Sequence, residues 1–128
     1  MEKAQLKKNT ILLAEDDEFL QRMYATKLAG SGFEVLVASD GEKALALIKK
    51  NKPDVVLLDI LMPKMDGFAV LEAVKTDPGT KSIPVILLTN LSEVSDIKKA
   101  RKLGANDYLI KSHFLPSEVI KLVDKYIK

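Results

Sequence analysis

Four places in this sequence carry side chains that could do chemistry together: the triplet Glu15-Asp16-Asp17, the lone Asp59, Thr89 and Lys111. There is no cysteine and a single histidine, His113, which removes thiolate nucleophiles, Cys-based metal sites and most His-ligated ones. Chemistry must therefore come from carboxylates, hydroxyls, lysines or arginines. Asp59 is the most informative of these. It lies between Leu58 and Ile60 inside the apolar run Val55–Met62, where an ionised carboxylate is costly unless something compensates it. Other acids brought beside it would add repulsion. A divalent cation or Lys111 would relieve both effects. With oxygen ligands only, the natural ion is Mg2+, which keeps some waters and takes further oxygens from a phosphate. A carboxylate nucleophile beside Mg2+, a lysine and a hydroxyl suits phosphoryl transfer. Taken singly, each residue has a plainer reading: Asp17 as a helix N-cap, Thr89 as a turn cap, Lys111 as a surface charge.

Whether they meet depends on the elements between them. Five short apolar runs stand out: Ile11–Ala14, Val35–Ala38, Val55–Leu58, Val85–Leu88 and Tyr108–Ile110. The first four are aliphatic without alternation, the pattern of strands buried on both faces. Segments of helical spacing separate and follow them. The first is marked by Phe19, Met23 and Leu28, the second by Ala44, Leu47 and Ile48, the third by Phe68, Leu71 and Val74. The fourth is marked by Val94, Ile97, Ala100 and Leu103, the fifth by Val119, Val123 and Tyr126. Asp17, Asp40 and Asp66 are placed as N-caps, Gly30, Gly32 and Gly104 as stops, and Pro116 in the first turn of the last helix. A strand–helix unit repeated five times predicts an α/β fold, a doubly wound (βα)5 parallel sheet of order 2-1-3-4-5. Ligands of such sheets bind at the carboxyl ends of the strands. Those ends hold Glu15 and Asp16, Asp59, Thr89 and Lys111.

The fourth helix is unlike the rest. Its apolar stripe is thin, and Lys98, Lys99, Arg101 and Lys102 crowd its other positions. Few apolar contacts predict low local stability and a helix able to shift.

The 128 residues carry 20 Lys+Arg against 18 Asp+Glu, a balance that argues against a dedicated nucleic-acid binder. No stretch reaches the ~18 consecutive apolar residues of a membrane span. Residues 1–9 are polar and lysine-rich and lack the apolar core of a secretory signal. We therefore expect a polar tail over 1–9, one domain over 10–128, a cytoplasmic location and no direct membrane or nucleic-acid contact. The first strand-to-helix turn reads Ala-Glu-Asp-Asp rather than glycine-rich, which weakens a flavodoxin-like cofactor reading.

From Thr10 to Lys128 the chain resembles the receiver domain of two-component response regulators. The likeness rests on an ordered set: the acidic pair, Asp59, Thr89 and Lys111, each after its strand. Around Asp59 the segment Asp59-Ile-Leu-Met-Pro63-Lys-Met-Asp66-Gly67 matches D-x-x-M-P-x-x-D-G. Asp77-Pro78, Ile83-Pro84-Val85-Ile86 and Gly104-Ala105-Asn106-Asp107-Tyr108-Leu109-Ile110-Lys111 fit the stretches that follow.

The resemblance implies a stand-alone, chemotaxis-receiver-like domain with a flavodoxin-like fold. It would act as a phosphoacceptor signalling module rather than a turnover enzyme, assisting its own phosphorylation and dephosphorylation. Asp59 would accept a phosphoryl group from a sensor histidine kinase or phosphotransfer protein. Asp16 would ligate Mg2+ directly, Glu15 through water, with Asp59 and the Leu61 backbone carbonyl completing the protein ligands. Thr89 would bond the phosphoryl group, Lys111 would pair with it, and Tyr108 would turn inward. The surface of helix 4, strand 5 and helix 5 would then change for a downstream protein partner, by a population shift driven by local electrostatics. The basic face of helix 4 is expected to meet that partner.

Three departures from the family pattern carry expectations. Ser112 follows Lys111 where the family commonly has a cis proline. A cis bond before a non-proline residue costs ~2.5–4 kcal/mol, so either a trans bond with an altered loop or a strained cis bond is expected. Leu61 and Leu91 occupy the two positions that tune phosphate lifetime. Neither can orient a water, so slow autodephosphorylation is expected. Asn90 is larger than the residue favoured there and would narrow donor access. His113 is expected to have no role. The alternatives are a non-phosphorylated pseudo-receiver or scaffold, a receiver fragment of a larger regulator, and a Mg2+-dependent phosphatase of haloacid-dehalogenase type. That phosphatase would need a second acid two residues after Asp59, where Leu61 stands.

Overall fold

The strands form where the aliphatic runs lie, because each run can bury alternate side chains on opposite faces. The computed structural model describes residues 8–127, so most of the tail expected over 1–9, and Lys128, lie outside the described residues. The elements alternate as β1 (Thr10–Ala14), α1 (Glu18–Gly30), β2 (Glu34–Ala38), α2 (Gly41–Asn51), β3 (Val55–Leu58), α3 (Gly67–Thr76), β4 (Val85–Thr89), α4 (Val94–Lys102), β5 (Asp107–Ile110) and α5 (Pro116–Ile127). The sheet is parallel throughout, in the order β2-β1-β3-β4-β5. This is the flavodoxin-like doubly wound topology expected from the sequence.

The period of two divides each strand between two cores. Leu12, Ala14, Val56, Leu58, Val85 and Leu87 pack under α2, α3 and α4. Ile11, Leu13, Val55, Leu57, Ile86 and Leu88 pack under α1 and α5 with Tyr24, Leu28, Val119 and Val123. One expectation fails at β2. Its aliphatics suggested burial on both faces, yet only Ala38 is fully buried and Val35 to Val37 are half-buried. The cause is position: β2 is an edge strand, with β1 on one side and, among the described residues, no strand on the other.

The helices start where the sequence placed their caps. Asp17, Asp40 and Asp66 each accept a hydrogen bond from a first-turn backbone N–H, at 2.9, 2.8 and 2.9 Å. Such caps satisfy donors the helix leaves unpaired. In contrast, α4 has no side-chain cap bond, and Ala100 is its one fully buried residue. The thin stripe thus corresponds to a lightly anchored helix. Among the described residues no helix is long and apolar enough to cross a membrane.

Backbone bonds carry the sheet pattern one step past the strands and so fix the site. The N–H of Asp59 donates to the Ala14 carbonyl at 3.1 Å, and that of Glu15 to the Ala38 carbonyl at 3.0 Å. The loop after Asp59 folds back so that the Gly67 N–H donates to the Ile60 carbonyl at 2.8 Å. A Cβ on Gly67 would sit 2.3 Å from the Asp59 carbonyl oxygen and 2.7 Å from the Ile60 Cα. Both are backbone atoms, so the loop itself would have to move. Gly67→Ala is expected to destabilise the fold by roughly 1–3 kcal/mol, as overpacking does. Gly30→Ala, with nothing within 4 Å of its Cβ, is expected to be neutral or stabilising by up to about 1 kcal/mol. Urea midpoints of the two variants check this, and equal shifts would contradict it.

Candidate functional site

At the carboxyl edge of the sheet the termini of β1, β3, β4 and β5 lie side by side. Carboxylate oxygens of Glu15, Asp16 and Asp59 come within 4.8 Å of one another. Lys111 enters from the end of β5. Its Nζ donates to Glu15 Oε1 at 2.5 Å and to Asp59 Oδ2 at 2.8 Å, with all three side chains at least nine-tenths buried. The remaining oxygens of the two buried acids are also engaged. Glu15 Oε2 accepts from the Asp17 N–H at 3.0 Å, and Asp59 Oδ1 from the Ile60 N–H at 2.7 Å. Asp16 is exposed.

These surroundings shift the charges in a definite way. Burial raises the Glu15 carboxyl above its usual range, against the pull of Lys111 and the Asp17 N–H. Burial alone would lower the Lys111 ammonium, but its bonds to Asp59 and Glu15 outweigh this and hold it above its ordinary value. The pairing of one buried cation with two buried carboxylates leaves net negative charge, to which Asp16 adds. Such an all-oxygen cluster fits a divalent cation of the Mg2+ type. Glu15, Asp16 and Asp59 are the side chains that could hold one. Leu61 exposes its side chain two residues beyond Asp59.

The two switch candidates stand next to this cluster, outside it. Thr89 is buried and pairs in register with Ile110, immediately before Lys111. Its Oγ1 accepts from the Leu91 N–H at 3.4 Å. Tyr108 is half-buried, and its hydroxyl donates to the Leu91 carbonyl at 2.7 Å. Thr89 and Tyr108 therefore both hold the loop that leads into α4. Burial, the Asp96 charge and the Asp59 charge push the Tyr108 phenol up to about 12.

After Lys111 the chain turns through a short 3-10 segment, Lys111–His113. There is no cis peptide bond among the described residues. Of the two alternatives at Lys111–Ser112, the trans bond is the one found. Asn90 and His113 are exposed.

Two residues of α1 near the site are not read as part of it from the sequence: Gln21 goes unremarked, and Tyr24 reads only as a marker of helical spacing. Gln21 Nε2 donates to the Glu15 carbonyl at 2.8 Å and to Ser39 Oγ at 3.1 Å, tying the ends of β1 and β2 together. Tyr24 is buried beneath the site, its phenol raised by burial, with the opposed charges of Lys111 and Glu15 acting on it. Nothing in their local sequence marks them as neighbours of the site, since both sit at ordinary helical positions.

Comparison with known proteins agrees with this geometry. The model of the response regulator receiver domain family matches residues 11–124. The "Response regulator PleD" of Caulobacter vibrioides is 43% identical over 101 residues, which is 79% of this chain and 22% of that protein. The "Probable transcriptional regulator ycf27" of Porphyridium aerugineum is 38% identical over 127 residues, 94% of this chain and 51% of that one. The chain thus spans about half the length, or less, of these curated relatives. Among solved structures, the receiver domain of Francisella response regulator 1452 superposes with a TM-score of 0.86 at 32% identity, covering 94% of this chain and 97% of that one. The Vibrio cholerae chemotaxis protein CheY4 gives 0.86 at 29% identity, covering 94% and 99%.

Tyr108 offers a direct test of the site's electrostatics. Its neutral phenol is the favoured form in the fold, so its contribution to stability is intact below pH 10 and lost as the pH rises from 10 to about 12. Difference absorbance, with Tyr108→Phe subtracted, is expected to show this titration. Asp59→Asn removes a nearby negative charge and should move it downward. A phenol titrating at its ordinary value and indifferent to Asp59→Asn would refute the arrangement.

Proposed function

Because the chain belongs to the response regulator receiver domain family, we propose that it accepts a phosphoryl group on Asp59 and relays that event to a protein partner. The donor is a phosphohistidine on a sensor histidine kinase or phosphotransfer protein. An Asp59 carboxylate oxygen attacks the phosphorus. The P–O bond forms as the P–N bond breaks, and the imidazole leaves and takes up a proton. Lys111, already bonded to Asp59, shifts toward the charge on the phosphoryl oxygens, and the Thr89 hydroxyl donates to one of them. Bound Mg2+ supplies further neutralisation of those oxygens. Glu15, Asp16 and Asp59 would hold it, together with the Leu61 carbonyl that the family resemblance implies. The chain is in this reading a phosphoacceptor that assists its own phosphorylation and dephosphorylation, not a turnover enzyme. It works in the cytoplasm.

The observation that carries the reading is the pairing of Lys111 with both Glu15 and Asp59 beside the exposed carboxylate of Asp16. A core placement this costly to charge needs a reason beyond stability. The switch follows from the same bonds. When Thr89 is drawn to the phosphoryl group it gives up the Leu91 N–H, Tyr108 turns inward and gives up the Leu91 carbonyl, and the face of α4, β5 and α5 is altered. Lys98, Arg101 and Lys102 on that face have no ion-pair partner among the described residues, which suits a partner with an acidic surface. No direct nucleic-acid or membrane contact is part of the proposal. We propose a stand-alone module. The second reading, a receiver within a longer regulator, is favoured by the greater length of the transcriptional-regulator relative.

Incubation with Mg2+ and a small acyl phosphate is expected to add the mass of one phosphoryl group. Asp59→Asn or chelation of the metal should abolish the gain. The adduct should be lost slowly, since Leu61 and Leu91 cannot position a water. A chain that stays unmodified would be a pseudo-receiver, and a half-life at the short end of the family's range would contradict the role given to the leucines. Charge reversal at Lys98 and Lys102 is expected to weaken partner binding and flatten its salt dependence. Unchanged affinity would remove α4 from the interface.

A further inference from the structure

The two ends of α4 are held very differently. At its C-terminal end the chain leaves the helix through Gly104, whose φ of +102° is open to glycine at little cost. The Lys75 stem crosses there, so that a Cβ on Gly104 would lie 3.0 Å from Lys75 Cγ. Lys75 Nζ then donates to the Ile83 carbonyl at 2.7 Å, the Asn106 Oδ1 at 3.0 Å and the Lys81 carbonyl at 3.1 Å. Three donors meet three neutral acceptors, and burial without a carboxylate lowers this ammonium below its ordinary value. Asn106 is clamped in turn. Its N–H donates to the Val85 carbonyl at 2.8 Å, its Oδ1 also accepts from the Val85 N–H at 2.9 Å, and its carbonyl accepts from the Tyr126 hydroxyl at 3.0 Å. Elements α3, β4 and α5 thus converge on one residue at the foot of α4.

The opposite end has little of this. Glu93 makes no side-chain cap bond, and Val94 is 66% exposed. The loop before it is tied to β5 by the Tyr108–Leu91 bond. Along the helix, Ala100 is buried and Lys99 lies 4.4 Å over the Phe68 ring.

We propose that Lys75 and Asn106 form a fixed pivot for α4, so that the helix moves by swinging its Val94 end about an immobile Asn106 end rather than by shifting as a whole. The trigger of the swing rests on the function proposed above. The pivot itself is a property of the unmodified chain. Lys75 is in this sense a positioning residue, acting through the bonds it makes to the α3–β4 loop and to Asn106.

Residue-resolved amide exchange on the full chain tests it. Lys75→Met keeps the stem and removes the ammonium. It is expected to speed exchange at Leu103, Gly104, Ala105 and Asn106 by roughly tenfold, as loss of a charged hydrogen bond would. Ile97, Lys98 and Lys99 should stay near their original rates, and Lys75→Arg should restore the protection. Equal acceleration at both ends, or none at Leu103 to Asn106, overturns the pivot. Should Lys75→Met fail to fold, Asn106→Asp gives an independent reading. A carboxylate facing Lys75 should slow exchange at Leu103 and Gly104, and an unchanged or faster rate would overturn the proposal. Adding Mg2+ and acyl phosphate separates the pivot from the functional reading. Absence of the mass gain removes the function while the unmodified-chain rates still decide the pivot. With the mass gain, exchange should change around Leu91 to Ile97 and not at Leu103 to Asn106.

Discussion

The pairing of Lys111 with Glu15 and Asp59 is the constraint to which the rest of the structure answers. Two carboxylates end strands buried on both faces, and neither can stay ionised there without a cation. The cation comes from β5, two strand positions away from β3 and three from β1. At about 4.8 Å per strand the ammonium must span roughly 10 Å or more across the end of β4. A lysine, long and flexible with three donors, suits that span where a rigid fork would not. Removing Lys111 would strand two buried carboxylates, whereas removing either acid still leaves Lys111 one partner. Such a cluster is a poor way to stabilise a core and a good way to make a core respond to added charge.

Stability is then distributed to suit. The sheet interior is apolar on both sides, with twelve residues of β1, β3 and β4 at most 2% exposed, six in each core. Helix α4 is the exception, with a single buried alanine. The loop entering it is gripped by Thr89 and Tyr108, the two residues beside the acid cluster. A charge change at Asp59 therefore meets a rigid floor and one loosely held neighbour. In the proposed switch the motion would go to the neighbour, because interiors packed this closely do not deform continuously.

Much of this was legible in the residues. Aliphatic runs without alternation marked β1, β3 and β4, and aspartates ahead of helical spacing marked the starts of α1, α2 and α3. Chain order and right-handed crossovers narrowed the strand order to a few, of which 2-1-3-4-5 is the common one, and that order brought Glu15, Asp16, Asp59 and Lys111 to one edge. Where the reading failed, the missing quantity was spatial. Val35-Leu36-Val37 is as aliphatic as its neighbours but lies at an edge, which composition does not encode. Gln21 and Asn106 carry ordinary side chains whose importance comes from acceptors distant in sequence. The trans bond at Lys111–Ser112 was left open because two local costs, a strained peptide and a rebuilt loop, could not be compared without the loop itself.

The residues alone settled which chemistry was available. Lacking cysteine and holding one histidine, the chain is left with carboxylates, hydroxyls, lysines and arginines, and one aspartate inside an apolar run marked the candidate site. That much follows from side-chain chemistry and local periodicity, which need no fold to operate. Tertiary structure decided the rest: that Lys111 bridges Glu15 and Asp59 and leaves Asp16 open, that Thr89 and Tyr108 hold the same loop, and that α4 is clamped at Asn106 and loose at Val94. These depend on distances between residues far apart in the chain, and such distances are set by how whole elements pack rather than by any local preference.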